Sequence, residues 1–201
     1  MTTKSPGPQR QEIDWLTPLT RTVLFLSQQE AIQMDLAYIR PEHLLLGVIV
    51  QGESKAAMLL NKSGLDAATL RTHIKGAYDS NALSKEASPP LSQHAEECIE
   101  YAIAMIAYYL TRHPPSAKVT PEHLVLSIIS HPGIQRLLVT YPVQIASLRQ
   151  EITKDMDPEY LRHVEDLFLL PDHMRDTAGR KAINLAVRNK EHVRKILSVV
   201  S

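Results

Sequence analysis

A nine-residue phrase occurs twice in this chain and constrains its fold more than any other feature. Pro41-Glu42-His43-Leu44-Leu45-Leu46-Gly47-Val48-Ile49 returns 80 positions later as Pro121-Glu122-His123-Leu124-Val125-Leu126-Ser127-Ile128-Ile129. Each version opens on proline, whose fixed φ and missing N–H suit the first position of a helix, and continues with apolar residues at helical spacing. A repeat of proline, glutamate, histidine and the same apolar pattern marks an internally duplicated structural unit.

The flanking residues repeat as well. Thr17-Pro18 is a helix start, and Leu19, Val23 and Leu26 are expected on the buried face of a helix reaching about Met34. The helix from Pro41 is expected to bury Leu44, Leu45, Val48 and Ile49, and a short helix follows over Ala56 to Leu60. Gly64 reads as a stop and Asp66 as the cap of a fourth helix carrying Leu70 and Ile74. After the breaker-rich stretch from Asp79 to Pro90 the programme restarts. Leu91-Ser92 stands where Leu16-Thr17 stood, and Ala95, Cys98, Ile99, Ala102, Ile106 and Tyr109 form one stripe. Thr120 caps the helix at Pro121, Leu137-Leu138 answers Leu59-Leu60, and Leu148, Arg149 and Ile152 answer Leu70, Arg71 and Ile74. The offset between copies is 75 at the first helix, 80 at the phrase and 78 at the last helix, so the helices persist while the loops drift.

The reading is therefore all-α: two tandem four-helix repeats packed as a pseudo-twofold domain, plus a C-terminal extension of about two helices. Residues 1–15 are expected to be a flexible leader. The double repeat covers 16–153, with repeat one at 16–78, a linker at 79–90 and repeat two at 91–153. The extension covers 154–201.

Composition narrows the function classes. The 22 basic and 22 acidic residues balance, so net charge points to no polyanionic partner. Cys98 is the single cysteine, which excludes an intramolecular disulfide and any cysteine-cluster metal site. The polar N-terminus has no secretory pattern, and the apolar stretch from Tyr101 to Leu110 is far short of the roughly 20 residues a bilayer span needs. The expected compartment is the cytoplasm, with no membrane contact.

A helix opened by Pro-Glu-His-Leu, preceded by a helix beginning Leu16-Thr17 or Leu91-Ser92 and followed by Ala56-Ala57, Leu60 and Leu70-Arg71, present in two in-order copies, resembles the double Clp N-terminal (Clp-N, or Clp repeat) domain. In that family it is the front module of Hsp100 unfoldases. The resemblance covers Leu16 to Ile152, and the sequence contains no G-x-x-x-x-G-K-[ST] phosphate loop. It implies a stand-alone, non-enzymatic binding protein without cofactor or metal. The implied partners are a Clp unfoldase or protease component, an adaptor or an unfolded peptide segment.

The resemblance also marks Glu42 and Glu122, because relatives of the ClpC type use this acid to hold the guanidinium of a phosphorylated arginine. Those relatives usually have threonine just before it, where this sequence has Pro41 and Pro121. The local alternative is that each acid simply favours the positive end of its helix dipole. His43 and His123 are adjacent to these acids and point elsewhere on the helix, which argues for hydrogen bonding over metal binding. Arg71 and Arg149 are expected to neutralise helix C-termini or to pair with an acid of the other copy. Cys98 is expected to be a buried small hydrophobe.

The stretch from Asp172 to Ser201 holds seven basic and three acidic residues. Arg180, Lys181, Arg188 and Arg194 admit three readings: a solvated helix face, a docking element for a protein partner, or a nucleic-acid contact. The excess lacks interleaved aromatics, so a solvated face on a helix docked against the repeats leads for these residues, ahead of protein docking; for the chain as a whole a protein-binding module leads, and a regulator binding nucleic acid through the basic C-terminal helices is the alternative. A hydrolase built on the Glu-His pairs lacks a nucleophile and an oxyanion donor.

Overall fold

The computed structural model describes residues 16–78, 88–110, 118–156 and 161, which form eight helices. The first four are α1 (Pro18–Gln33), α2 (Pro41–Gln51), α3 (Lys55–Lys62) and α4 (Ala67–Ala77). The second four are α5 (Gln93–Leu110), α6 (Pro121–Ile128), α7 (Pro132–Leu138) and α8 (Ile145–Thr153). Among the described residues there is no β-strand beyond two isolated bridges, and the fold is all-α. The leader at 1–15, most of the linker (79–87) and the extension beyond 156, apart from Leu161, lie outside the described residues.

Local chemistry sets the helix ends. The Thr17 hydroxyl accepts from the Thr20 N–H at 3.2 Å, Ser54 accepts from Ala57 at 3.1 Å, and Asp66 accepts from Thr69 at 2.8 Å. α2 ends on Gly52 at φ 74° and the turn after α3 passes through Gly64 at φ 82°, conformations that cost glycine nothing.

α2 and α6 form the middle of one continuous apolar core. α2 buries Leu44, Leu45, Leu46, Val48 and Ile49, and α6 buries Leu124, Val125, Leu126 and Ile128, so both are apolar all round as central helices must be. α2 packs on α1, α3, α4, α5 and α6, while α6 packs on α5, α8, α1 and α3. The core runs unbroken from Leu16 to Ile152.

The buried face of α1 differs from the sequence expectation. Thr20, Val23, Leu24, Ser27 and Ala31 are buried, whereas Leu19 is exposed and Leu26 half-buried. The cause is Gly47: a Cβ there would lie 2.2 Å from Ser27 Oγ and 2.6 Å from the Val23 carbonyl oxygen, so α1 meets α2 almost backbone to backbone. A contact that close selects small side chains at the crossing, and Leu19 and Leu26 turn away from it while Leu24 stays in the core. Ser27 meets its own need by donating to the Val23 carbonyl at 2.7 Å.

The two groups of four helices are tied by exchanged contacts. Leu16, before α1, bridges in parallel to Val119, before α6, and Leu91, before α5, bridges in parallel to Ile39, before α2. The Thr17 N–H donates to the Val119 carbonyl at 3.1 Å, and the Ser92 N–H donates to the Ile39 carbonyl at 2.8 Å. Residues that match in the sequence repeat thus make matching bonds, each to the other group. Pro90 and Ser88 fasten the end of the linker to the first group: the Pro90 carbonyl accepts from Ile39 at 2.8 Å, and Gln28 bonds Ser88.

Candidate protein-binding surface

The repeated phrase places its histidines in the same position twice. The Arg40 N–H donates to His43 Nδ1 at 3.0 Å, and the Thr120 N–H donates to His123 Nδ1 at 3.1 Å, so each imidazole closes the open end of its helix. The Thr120 hydroxyl adds a bond to the same ring nitrogen at 2.8 Å. An accepting Nδ1 keeps the ring neutral with its proton on Nε2. Burial is the main reason the His43 pKa falls to about 4, with the Arg40 charge adding to the effect. Burial also takes His123 down to about 4. These rings are structural caps, and among the described residues no group of three or more His, Cys, Asp or Glu side chains is placed to hold a metal ion.

The two glutamates of the phrase do different things. Glu122 Oε1 accepts from the Ala56 N–H at 3.3 Å, which puts the carboxylate of the second copy at the N-terminus of α3 in the first, beside the Ser54 cap. Glu42 Oε1 accepts from the Tyr78 hydroxyl at 3.0 Å, and the Arg40 guanidinium sits 4.0 Å above the Tyr78 ring. Burial, reinforced by the Glu42 charge, raises the Tyr78 pKa.

Arg71 departs from the expectation of a helix C-terminus or an acid of the other copy. Arg71 reaches α1 of its own group, with Nε donating to Glu30 Oε2 at 2.8 Å and Nη2 to Glu30 Oε1 at 2.5 Å. The Glu30 side chain is 6% exposed, so this two-pronged pair replaces the water the carboxylate has lost. Arg149 Nη2 donates to Ser130 Oγ at 3.2 Å. The expectation fails for Arg71 because the matching acid lies 41 residues away in sequence, off the apolar stripe by which the first helix is read.

Beside Arg149 an open cleft of about 430 Å³ separates α5 from the layer of α6, α7 and α8. Glu97, Cys98 and Tyr101 form one wall, and Ser127, Ser130, His131, Gln135 and Arg149 line the rest. His94 bonds Glu97 at 3.1 Å and its ring lies 4.8 Å from that of His131. Burial and the neighbouring His94 lower the His131 pKa. Cys98 is buried, and burial with Glu97 and Glu42 nearby pushes its thiol up to about 12, where it is an inert apolar group. Neither Glu42 nor Glu122 lines this cleft. Sequence reasoning does not mark the residues around it as a site, although one signal is present: Gly47 against Ser127 is the one polar-for-small change in a phrase whose other differences, Leu45 to Val125 and Val48 to Ile128, exchange one aliphatic residue for another.

The outward arc of α1 exposes Leu19, Phe25 and Ile32, with Tyr38 and Met58 exposed nearby in sequence. Arg180, Lys181, Arg188 and Arg194 lie outside the described residues. Among the described residues no single helix is long and apolar enough to cross a membrane.

Comparison with known proteins follows the same lines. The model of the Clp repeat (R) N-terminal domain matches residues 16–107, a little under half of the sequence. The chloroplastic chaperone protein ClpC of Pisum sativum is 47% identical over 58 residues, which are 29% of this chain and 6% of the pea protein. The ClpA homolog of Guillardia theta, an ATP-dependent Clp protease ATP-binding subunit, is 47% identical over 58 residues, 29% of this chain and 7% of that protein. The match therefore spans only a small part of these relatives. The N-terminal domain of the caseinolytic protease associated chaperone ClpD from Arabidopsis thaliana superimposes with a TM-score of 0.55, covering 74% of this chain and 97% of that one. At 20% identity, that likeness speaks for the fold.

Proposed function

Because residues 16–107 carry a Clp repeat N-terminal domain, we propose that this protein is a non-enzymatic protein-binding module that serves Clp-type proteolysis or chaperone activity as an accessory or regulatory factor. The domain match is the observation that carries the reading. In this reading residues 16–78 and 91–153 are two copies of one four-helix unit, packed about a pseudo-twofold axis. The exchanged bridges Leu16 to Val119 and Leu91 to Ile39 support it, since a twofold relation makes residue i of one copy meet residue j of the other and the reverse.

The binding chemistry is non-covalent. Leu19, Phe25 and Ile32 on α1 offer apolar contact, and the polar groups of the second four helices offer direction. Glu42 and Glu122 remain candidates for a cationic group of a partner, although each already accepts a hydrogen bond that such a group would have to displace or share. The extension, with Arg180, Lys181, Arg188 and Arg194, belongs to the proposal as a docking element, and the compartment proposed is the cytoplasm. The test is direct binding of the purified protein to a purified Clp unfoldase, its protease partner and a permanently unfolded protein, with the rate of substrate degradation as a second readout. Binding to one of the three with a changed rate supports the reading. No binding and an unchanged rate would refute it.

A further inference from the structure

The chain leaves the eight helices at a fastened point. α8 ends at Thr153, the Met156 N–H donates back to the Thr153 carbonyl at 2.9 Å, and the Asp155 carboxylate pairs with Lys55 at the start of α3. Met156 is half-buried and packed on the core, and so is Leu161, the one described residue beyond it. The polypeptide has thus not left the repeat at Leu161. Asp157-Pro158-Glu159 is a helix start, with an acid that can cap and a proline at the first helical position. Leu161, Val164 and Phe168, with Tyr160 and Leu167 beside them, recur at helical spacing as far as Pro171. Helices joined by so short a connection, Lys154 to Asp157, lie antiparallel and side by side. The surface that meets this apolar stripe is therefore one that α8 shares with a neighbour.

Such a surface lies between α8 and α3, where Leu59, Leu148 and Pro142, with Lys62, Ser147 and Glu151, line an open groove of about 280 Å³. Lys55, Met58, Leu59 and Lys62 share one face of α3, and Met58 is exposed on it. Charge agrees with the apolar pattern. Residues 157–170 carry the acids Asp157, Glu159, Glu165 and Asp166 against Arg162, whereas the α3 face is edged by Lys55 and Lys62, and Lys154 stands exposed after α8. Glu151 is the single acid among the residues lining the groove. We infer that the groove between α3 and α8 is the docking site of this chain's own residues 158–170, which strap it with the stripe of Leu161, Val164, Leu167 and Phe168. Because α3 belongs to the first group of four helices and α8 to the second, the strap binds the two groups together on this side. It also closes the α3–α8 face to other proteins, and it leaves the basic stretch from Arg175 to Lys195 as the part of the extension that a partner meets.

The experiment is thiol labelling of the full-length protein with a maleimide at neutral pH. Ser147→Cys puts a near-isosteric thiol in the groove, and Thr22→Cys puts one on the exposed side of α1 as the control. The native Cys98 is buried with its thiol pushed up to about 12, so it stays silent. Each probe is compared with and without Val164→Asp and Leu167→Asp, which spoil the stripe. The Ser147→Cys thiol should react about tenfold or more slowly when the stripe is intact, because it is reached only when the strap opens, while the Thr22→Cys rate should not change. The milder pair Val164→Ala and Leu167→Ala should accelerate Ser147→Cys in the same direction, and it guards against a variant that fails to fold. Equal Ser147→Cys rates with the stripe intact and spoiled by either pair would overturn the inference. Protection found at Thr22→Cys in place of Ser147→Cys would overturn it by putting the extension on α1. Protection that disappears on dilution would overturn it by assigning the strap to a second copy of the chain. The outcome is independent of binding to Clp components, so either reading can fail while the other stands.

Discussion

Replacing Gly47 with alanine would put a methyl group 2.6 Å from the Val23 carbonyl, a backbone atom that cannot rotate away. The account predicts a loss of about 1–3 kcal/mol for Gly47→Ala in urea unfolding, despite the better helix propensity of alanine. Ser127→Gly at the matching position loses one hydrogen bond and some helix propensity, and it should cost about 1 kcal/mol. A Gly47→Ala variant as stable as the parent would show that α1 does not sit where described. The histidines give a second prediction at this scale. His43 and His123 have folded pKa values of about 4 against an ordinary 6.5, so the unfolded state binds more protons between those values. Their contribution to stability is full above about pH 6.5 and is lost as pH falls toward 4. Ring signals from both histidines should stay in the neutral form down to about pH 4; titration of either near pH 6.5 would contradict the capping role.

At the scale of elements, the sequence discloses what is local and hides what is not. Thr17, Asp66, Pro41 and Pro121 announce their helix starts because a cap or an N-terminal proline acts within four residues. The buried face of α1 escapes such reasoning because hydrophobicity ranks Leu19 and Leu26 above Thr20 and Ser27, while the close approach at Gly47 rewards small size. The bond from Ala56 to Glu122 and the Glu30–Arg71 pair join residues 66 and 41 positions apart, and no periodicity reports such partners. That pair fastens α4 to α1. Arg71→Ala should cost about 3 kcal/mol by stranding a buried carboxylate, and adding Glu30→Met, the residue found at the matching position of α5, should recover most of the loss. Equal losses in the single and double variants would show that the charge pair is not what holds the two helices.

At the scale of the molecule, the two groups of four helices are built into each other. One core runs from Leu16 to Ile152, and each group of four helices donates its entry segment to the other through the bridges at Leu16 and Leu91. Neither group can then bury its central helix alone, since α2 packs on α5 and α6, and α6 packs on α1 and α3. Where α2 has Gly47 against α1, the matching Ser127 of α6 bonds the Cys98 carbonyl of α5 and lines a cleft that the first phrase's glycine does not line. Binding surfaces can diverge in this way while the frame stays fixed.

The most direct measurement of that shared frame is fragment complementation. Residues 16–78 and 88–156, made separately and then mixed, are compared by amide signal dispersion and by cooperative unfolding. The account predicts that each fragment alone is poorly dispersed and that the mixture assembles into one cooperatively unfolding species with the signals of the intact protein. Two fragments that each fold fully alone, with no change on mixing, would contradict it.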